Sequence, residues 1–413
     1  MGFQTGLSGL NAAAKNIDVL GNNVANANTV GFKGSRAVFA DVFASSLAGA
    51  GSSNIGIGVK VAAVQQEFTQ GNVSVTNNPL DVAINGRGFF RFDDQGTISY
   101  SRNGQMHLDA NGYIVNSDNR KLTGYTVDAN NAVVMSSPIP IRLATSDISP
   151  APTTNLEATL NLDSRAPAVA LAFNQANPAT YTNSTSSAVY DSLGNSHTLT
   201  MYFSKTATPG EWTVHANVDG GPLAEVDLGA GAGNPITLAF NSSGALTTPQ
   251  PFAGAPSITY ANGAVTPQPL DINLMGTTQF GSDFGVTSLS QNGYASGRLV
   301  GFDIADNGIV AGRYTNGQST QLGQIVLASF ANMQGLRSKG DNLWEETASS
   351  GAAIVGAPLT GSLGSLQSAA VEDSNVDLTQ ELVNMITAQR VYQANAQTIK
   401  TQDQVLQTIV NLR

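Results

Sequence analysis

Histidines are the first place to look for acid–base or metal chemistry, and His107, His197 and His215 are the only three in the chain. They lie far apart, and none belongs to a two-histidine helical motif of the zinc-binding kind; they read as structural or surface side chains. Asp93-Asp94, Asp109 and Asp306 each stand shortly before a glycine. A calcium loop needs several oxygen ligands at fixed spacing, which these lack, so they read as turn formers. Gly229, Gly231 and Gly233 fall in "DLGAGAGNP", without the Lys-Ser/Thr of a phosphate loop and with a proline that opposes a helix start. Glu345-Glu346 beside Trp344 has no acid–base partner identifiable in sequence, and no Gly-x-Ser-x-Gly elbow occurs. With no cysteine, disulfides, thiolate chemistry and Cys-type zinc sites are excluded. The expectation is a protein that is not an enzyme, with no catalytic residues, cofactor or metal.

Composition narrows the alternatives. Apolar residues make up 41 % of the 413, enough for real cores, while charged residues make up only 12 %, about half the usual share. The net charge is -10, and no run of Lys and Arg exists, so no nucleic-acid partner is expected. The acid is concentrated: residues 150–290 hold nine acidic side chains against Arg165 and Lys205, which suggests that the middle of the chain faces water. No stretch approaches the 18 apolar residues of a membrane span, so no membrane insertion is expected. The first residues lack a basic region followed by a solid apolar one; if the protein is exported, a route without a cleavable signal peptide is expected.

The elements that carry information are the two ends. Phe3, Leu7, Leu10, Ala14, Ile17, Gly21 and Val24 recur at spacings of four and three, one stripe of a helix at near-heptad period. Leu378, Leu382, Met385, Gln389, Tyr392, Ala396, Ile399, Asp403, Leu406 and Val410 repeat the rhythm. Asp377 followed by Gln380 marks a capping-box start. The faces away from the stripes carry few charges and many Asn, Gln, Thr and small residues. Such helices suit packing against each other and against copies from neighbouring chains, in a coiled-coil-like core; isolated in water they would be marginal.

Between the ends the period changes to two. Residues 81–126 alternate between short apolar runs and Asp-Gln-Gly, Asn-Gly and Ala-Asn-Gly turns, and 298–318 reads as a hairpin with Asp306-Asn307-Gly308 at its tip. "HTLTMYFSKT" and "GEWTVHANVDG" alternate as well. The fold class expected is mainly β with paired N- and C-terminal α-helices, in a nested multi-domain chain with two β-rich outer domains. The expected parts are terminal helices at 1–25 and 371–413, a linker or joint at 26–78 and 356–370, a first β domain at 79–145 and 289–355, and an inserted outer β domain at 146–288.

Two long stretches bring a family into view. "SGLNAAAKNIDVLGNNVANANTVGFKGSRAVFADVF" resembles the N-terminal signature of the bacterial flagellar axial proteins (rod, hook and hook-associated proteins), and "SNVDLTQELVNMITAQRVYQANAQTIKTQDQVLQTIVNLR" resembles their C-terminal signature. "PLDVAINGRGFFRF", "QNGYASGRLVGFDIADNGIVAGRY" and "LGQIVLASFANMQGLRSKGDNLWEET" resemble the hook branch, and the long inserted middle exceeds what a distal rod protein carries. The resemblance implies a subunit of a hollow, curved helical filament that polymerises with itself, the terminal helices lining the inner tube. It implies export by the flagellar type III apparatus, growth under a hook cap, and contact with distal rod and hook–filament junction proteins. It implies a universal joint passing motor torque to the filament. A distal rod or hook-associated protein is the alternative, and a secreted β-rich adhesin a more distant one. The stretch "GNNVANANTVGFKGSR" then reads as a joint. Asn26 and its neighbours offer donors and acceptors to adjacent chains, Phe32 anchors the segment in an adjacent apolar groove, and Lys33 and Arg36 stand at its rim.

Overall fold

The computed structural model describes residues 2–42, 56, 58–128, 131–143 and 147–411. Almost all of the Ala/Gly/Ser-rich stretch 45–57 lies outside them. Strand is the predominant regular structure of the described chain, with one long helix at each end: α1, Gly2–Ala25, and α2, Leu378–Asn411.

Two compact units divide the fold. The first gathers Met1–Thr145, Gly301–Arg313 and Ser319–Arg413; the second gathers Ser146–Val300 and Tyr314–Gln318. The residues expected as terminal helices and linker fall in the first unit, and so do those expected as the first β domain except 289–300 and 314–318, which belong to the second. The second reaches past the 146–288 expected: Gly285–Gln291 pairs antiparallel with Asn155–Asn161, and Tyr294 and Gly297 bridge to Ala151 and Ile148. The segment 356–370, expected as linker, is paired only in part. Ser365–Ser368 runs antiparallel to Val82–Asn85, and Ala370–Glu372 antiparallel to Val73–Val75.

In the first unit the strand Phe89–Asp94 is central, hydrogen-bonded to Thr97–Ser101, Lys121–Val127 and Leu327–Ser329. Its alternation splits the core in two. Phe90 and Phe92 point into an aliphatic cluster with Val82, Ile84, Ile114, Leu122, Ile325 and Leu327. Phe89 points the other way, into an aromatic cluster with Tyr100, Phe330 and Trp344. Edge-on contacts at 5.6 Å (Phe89–Trp344) and 4.8 Å (Tyr100–Phe330) suit the aromatic quadrupole. The turns are as the sequence suggests. Asp93 Oδ1 accepts the Gly96 amide at 2.7 Å, and Asp109 Oδ1 accepts those of Asn111 and Tyr113 at 2.8 Å each, the side-chain-to-backbone bonding that makes aspartate a turn residue.

The second unit is built on four strands, Asn183–Tyr190, Ser196–Lys205, Glu211–Val218 and Ile236–Ala239, each antiparallel to the next. Period-two alternation places Leu199, Met201, Phe203, Trp212, Val214 and Ala216 on one face, all buried in a single apolar cluster.

A candidate self-assembly surface

The two helices are rooted side by side in the first unit. α1 ends where Asn23 folds its amide onto the following chain: Nδ2 donates to Ser35 O at 2.8 Å and Oδ1 accepts the Ser35 amide at 2.9 Å. One side chain thereby closes the turn as a strand neighbour would. Gly31 comes next, at φ +71, its amide donating to Glu372 O at 2.7 Å. A Cβ there would stand 2.5 Å from the Asn103 amide nitrogen, so both conformation and crowding demand glycine. The Gly34 amide donates to Asn375 Oδ1 at 2.8 Å, and Asn375 Nδ2 donates to Glu67 O at 2.7 Å. Asp377 then caps α2, its Oδ1 accepting the amides of Thr379 and Gln380 at 2.8 and 3.1 Å. The cap is one-sided, because the Gln380 amide turns instead to Asn384 Oδ1.

At the centre of this root sit three buried charges. Lys33 Nζ lies 2.6 Å from Glu372 Oε1 and donates to Thr69 O at 2.7 Å. Arg102 Nη1 lies 3.1 Å from Glu372 Oε2, and Nη2 donates to Gly86 O at 2.9 Å. The Gly71 amide adds a bond to Glu372 Oε1 at 2.9 Å. Lys33 and Glu372 are fully enclosed and Arg102 nearly so. Burial pushes the Lys33 ammonium below its ordinary value, with Glu372 opposing. Enclosing charges is expensive unless each is paired and hydrogen-bonded, and here backbone groups supply much of the remaining bonding. The expectation that Lys33 stands at the rim of a groove is therefore corrected: its long side chain runs inward to the Glu372 carboxylate. Arg36 does reach the surface, 3.7 Å from Glu67. Phe32 is half-buried against its own chain, in a cleft of about 260 Å³ shared with Asn22, Asn26 and Trp344. Asn26 spends its amide on Asn22 O and its carbonyl on Thr29 Oγ1.

Beyond the root the helices run antiparallel. Near the start of α1, Gly6 meets Ile399 and Gly9 meets the Asn395 side chain; near its end, Asn23 meets Glu381. Burial raises the Glu381 carboxyl, and the nearby Glu67 adds to it. The face that α1 turns inward is made of small or polar residues: Gly6, Ala12, Ala13 and Asn23, with Leu20 the one large apolar side chain. The apolar stripe points elsewhere. Phe3 and Leu7 are exposed, at 48 % and 43 %, and Leu10, Ala14, Ile17 and Val24 are half-buried. On α2, Leu378, Leu382, Tyr392 and Leu406 are exposed, while Met385 and Ile399 are half-buried. Val410 lies outside the residues whose side chains are described. Sequence periodicity missed Val383, Ile386, Val391 and Val405, which are exposed as well. They sit off the four-three stripe and widen it, and their hydropathy was the available signal. Between α1, α2 and the hairpin Ser35–Val42/Gly58–Gln66 runs an open groove of about 970 Å³.

The chain thus spends small residues on its internal helix contact and leaves leucines in water, a pattern that commonly marks interaction surfaces. Comparison with known proteins shows the family. The flagellar hook protein FlgE of Escherichia coli (strain K12) is 43 % identical over 421 residues, covering all of both chains. The chain belongs to the flagellar hook protein FlgE family. Its relative in Borreliella burgdorferi is 32 % identical over 455 residues, covering 99 % of this chain and 98 % of that one. Four family models match: "Flagella basal body rod protein" at 3–33, "Flagellar hook protein FlgE/F/G D1 domain" at 83–152, "Flagellar basal body protein FlaE D2 domain" at 161–294, and "Flagellar basal body rod FlgEFG protein C-terminal" at 367–412. Lys33, Arg102 and Glu372 thus come from three different matched segments. The crystal structure of Helicobacter pylori flagellar hook protein FlgE2 shares the fold, with a TM-score of 0.51 at 13 % identity, over 71 % of this chain and 99 % of that one.

Proposed function

We propose that this FlgE-family chain is the structural subunit of a flagellar hook, polymerising with copies of itself into a hollow, curved tube that transmits motor torque as a universal joint. The observation that carries the reading is the pair of antiparallel helices whose apolar faces stay open after internal packing. A head-to-tail contact whose rotation does not close builds an open helix from one subunit type, and apolar faces on both helices supply the buried area. On this reading the terminal helices line the inner tube. Copies of the chain are the main partner; the export apparatus, a hook cap, and the distal rod and junction proteins are the others. Electron microscopy of the concentrated, purified protein tests this: curved tubes are expected from the intact chain, and none from a chain lacking residues 2–20 and 386–411. Equally ready tube growth by the trimmed chain would overturn it. Phe32→Ser sharpens the test, since impaired polymerisation with intact β units is expected and normal filaments would remove any anchoring role.

A further inference from the structure

In the second unit, far in sequence from the helices, His197 lies with a carboxylate at each ring nitrogen. Nδ1 is 2.6 Å from Asp219 Oδ2, and Nε2 is 3.3 Å from Asp191 Oδ2. The ring stacks on Tyr260 at 4.5 Å and is mostly shielded from water. Asn262 Nδ2 lies 3.4 Å from Nε2 as well, but it is 2.5 Å from Asp191 Oδ2; a neutral imidazole has one N–H and one lone pair, and so can donate to only one of the two carboxylates. Only the imidazolium, with two N–H donors, satisfies both contacts.

The three groups around the ring come from three turns. Asp191, fully buried, begins the turn after Asn183–Tyr190: its Oδ1 accepts the amides of Leu193 and Asn195, and its Oδ2 accepts the side chains of Asn195 and Asn262. Asp219 follows Glu211–Val218 in the left-handed region at φ +52, and its Oδ1 accepts the Thr198 amide. Tyr260 and Asn262 belong to a third loop, which the Val265 amide ties back to Ser192 Oγ at 2.8 Å.

We propose that His197 is a charged clasp, a double donor that fastens these three turns at one end of the insert and releases the loop 260–265 as the surroundings turn alkaline. Asp191, Asp219 and Tyr260 are the titratable groups facing it, and each leaves the alkaline transition to His197. Hydrogen bonds hold both aspartates below the ordinary carboxylate range. Burial, with the two aspartates, pushes the Tyr260 phenol up to about 12. The two carboxylates outweigh desolvation and raise His197 above its ordinary value of 6.5. A base whose folded value is raised contributes its stability in full below the unfolded value and loses it as pH climbs through the folded one.

With only three histidines, ¹⁵N-imidazole spectra of the full chain are assignable using His107→Gln and His215→Gln. At pH 6.5 both His197 ring nitrogens are expected to carry hydrogen, and the titration midpoint to lie above 6.5. Amide exchange at Thr198 and Val265, corrected for its intrinsic pH dependence, is expected to accelerate in step with that titration. A midpoint at or below 6.5, or a ring nitrogen without hydrogen at pH 6.5, overturns the clasp. Exchange indifferent to the titration overturns the release. His197→Gln is expected to show fast exchange at both amides at every pH, and protection equal to the parent's would likewise count against the proposal.

Discussion

The root and the outer helix faces treat their side chains in opposite ways. Around Glu372 the chain encloses three charged groups and bonds them to its own backbone. Along α1 and α2 it leaves Phe3, Leu7, Leu382 and Leu406 in water. Charge inside and leucine outside invert the usual arrangement, and the inversion separates two tasks. The root is built within one copy, with both cations paired to the one carboxylate. The helix faces keep exposed apolar side chains within one copy, and on the proposed function another copy covers them. Substitutions in the two regions should therefore fail in different assays.

The largest effect on stability belongs to the root. Glu372→Gln keeps the shape but leaves Lys33 and Arg102 without a counter-charge, and breaking a buried pair in this way costs about 3–5 kcal/mol. Urea denaturation reads it through tryptophan, because Trp344 lies in the first unit and Trp212 in the second; a Trp212→Phe background isolates the first. A loss under about 1 kcal/mol, the range of exposed pairs, would show the root to be no more than a surface ion pair. Next comes Asp377→Ala, which removes the α2 cap and should cost about 1 kcal/mol, seen as reduced helical circular dichroism on mild heating. Smallest for the single chain is Leu406→Ser. An exposed side chain contributes within about 0.5 kcal/mol, so the unfolding curve should barely move. Its effect should surface only on assembly. Losing roughly 1.5–3 kcal/mol of burial raises the critical concentration for polymerisation about tenfold or more. A Leu406→Ser chain that unfolds early but polymerises normally would reverse the comparison.

Periodicity made the helix faces legible, because a four-three apolar rhythm survives without any knowledge of the partner. The hairpin turns were legible for a similar reason, since Asp93, Asp109 and Asn307 act on amides a few residues away. The root was not. Lys33 and Glu372 are separated by 339 positions and Arg102 and Glu372 by 270, and no local pattern tells a lysine in a Gly-Phe-Lys-Gly run that its charge will be buried. The insert's boundary failed similarly. Gly285–Gln291 is a plain strand whichever unit claims it, and only its pairing with Asn155–Asn161 decides. His197 looked idle because its two carboxylates lie in turns that the strand pairing alone brings together.

The central claim is that the open apolar faces of α1 and α2 are covered by another copy. The chain has no cysteine, so Leu406→Cys gives a single thiol on the α2 face. The direct measurement is its alkylation rate in dilute single chains and in tubes formed with an excess of unmodified chain. The account predicts fast reaction in the single chain and at least tenfold protection in the tube; equal rates in both would contradict it.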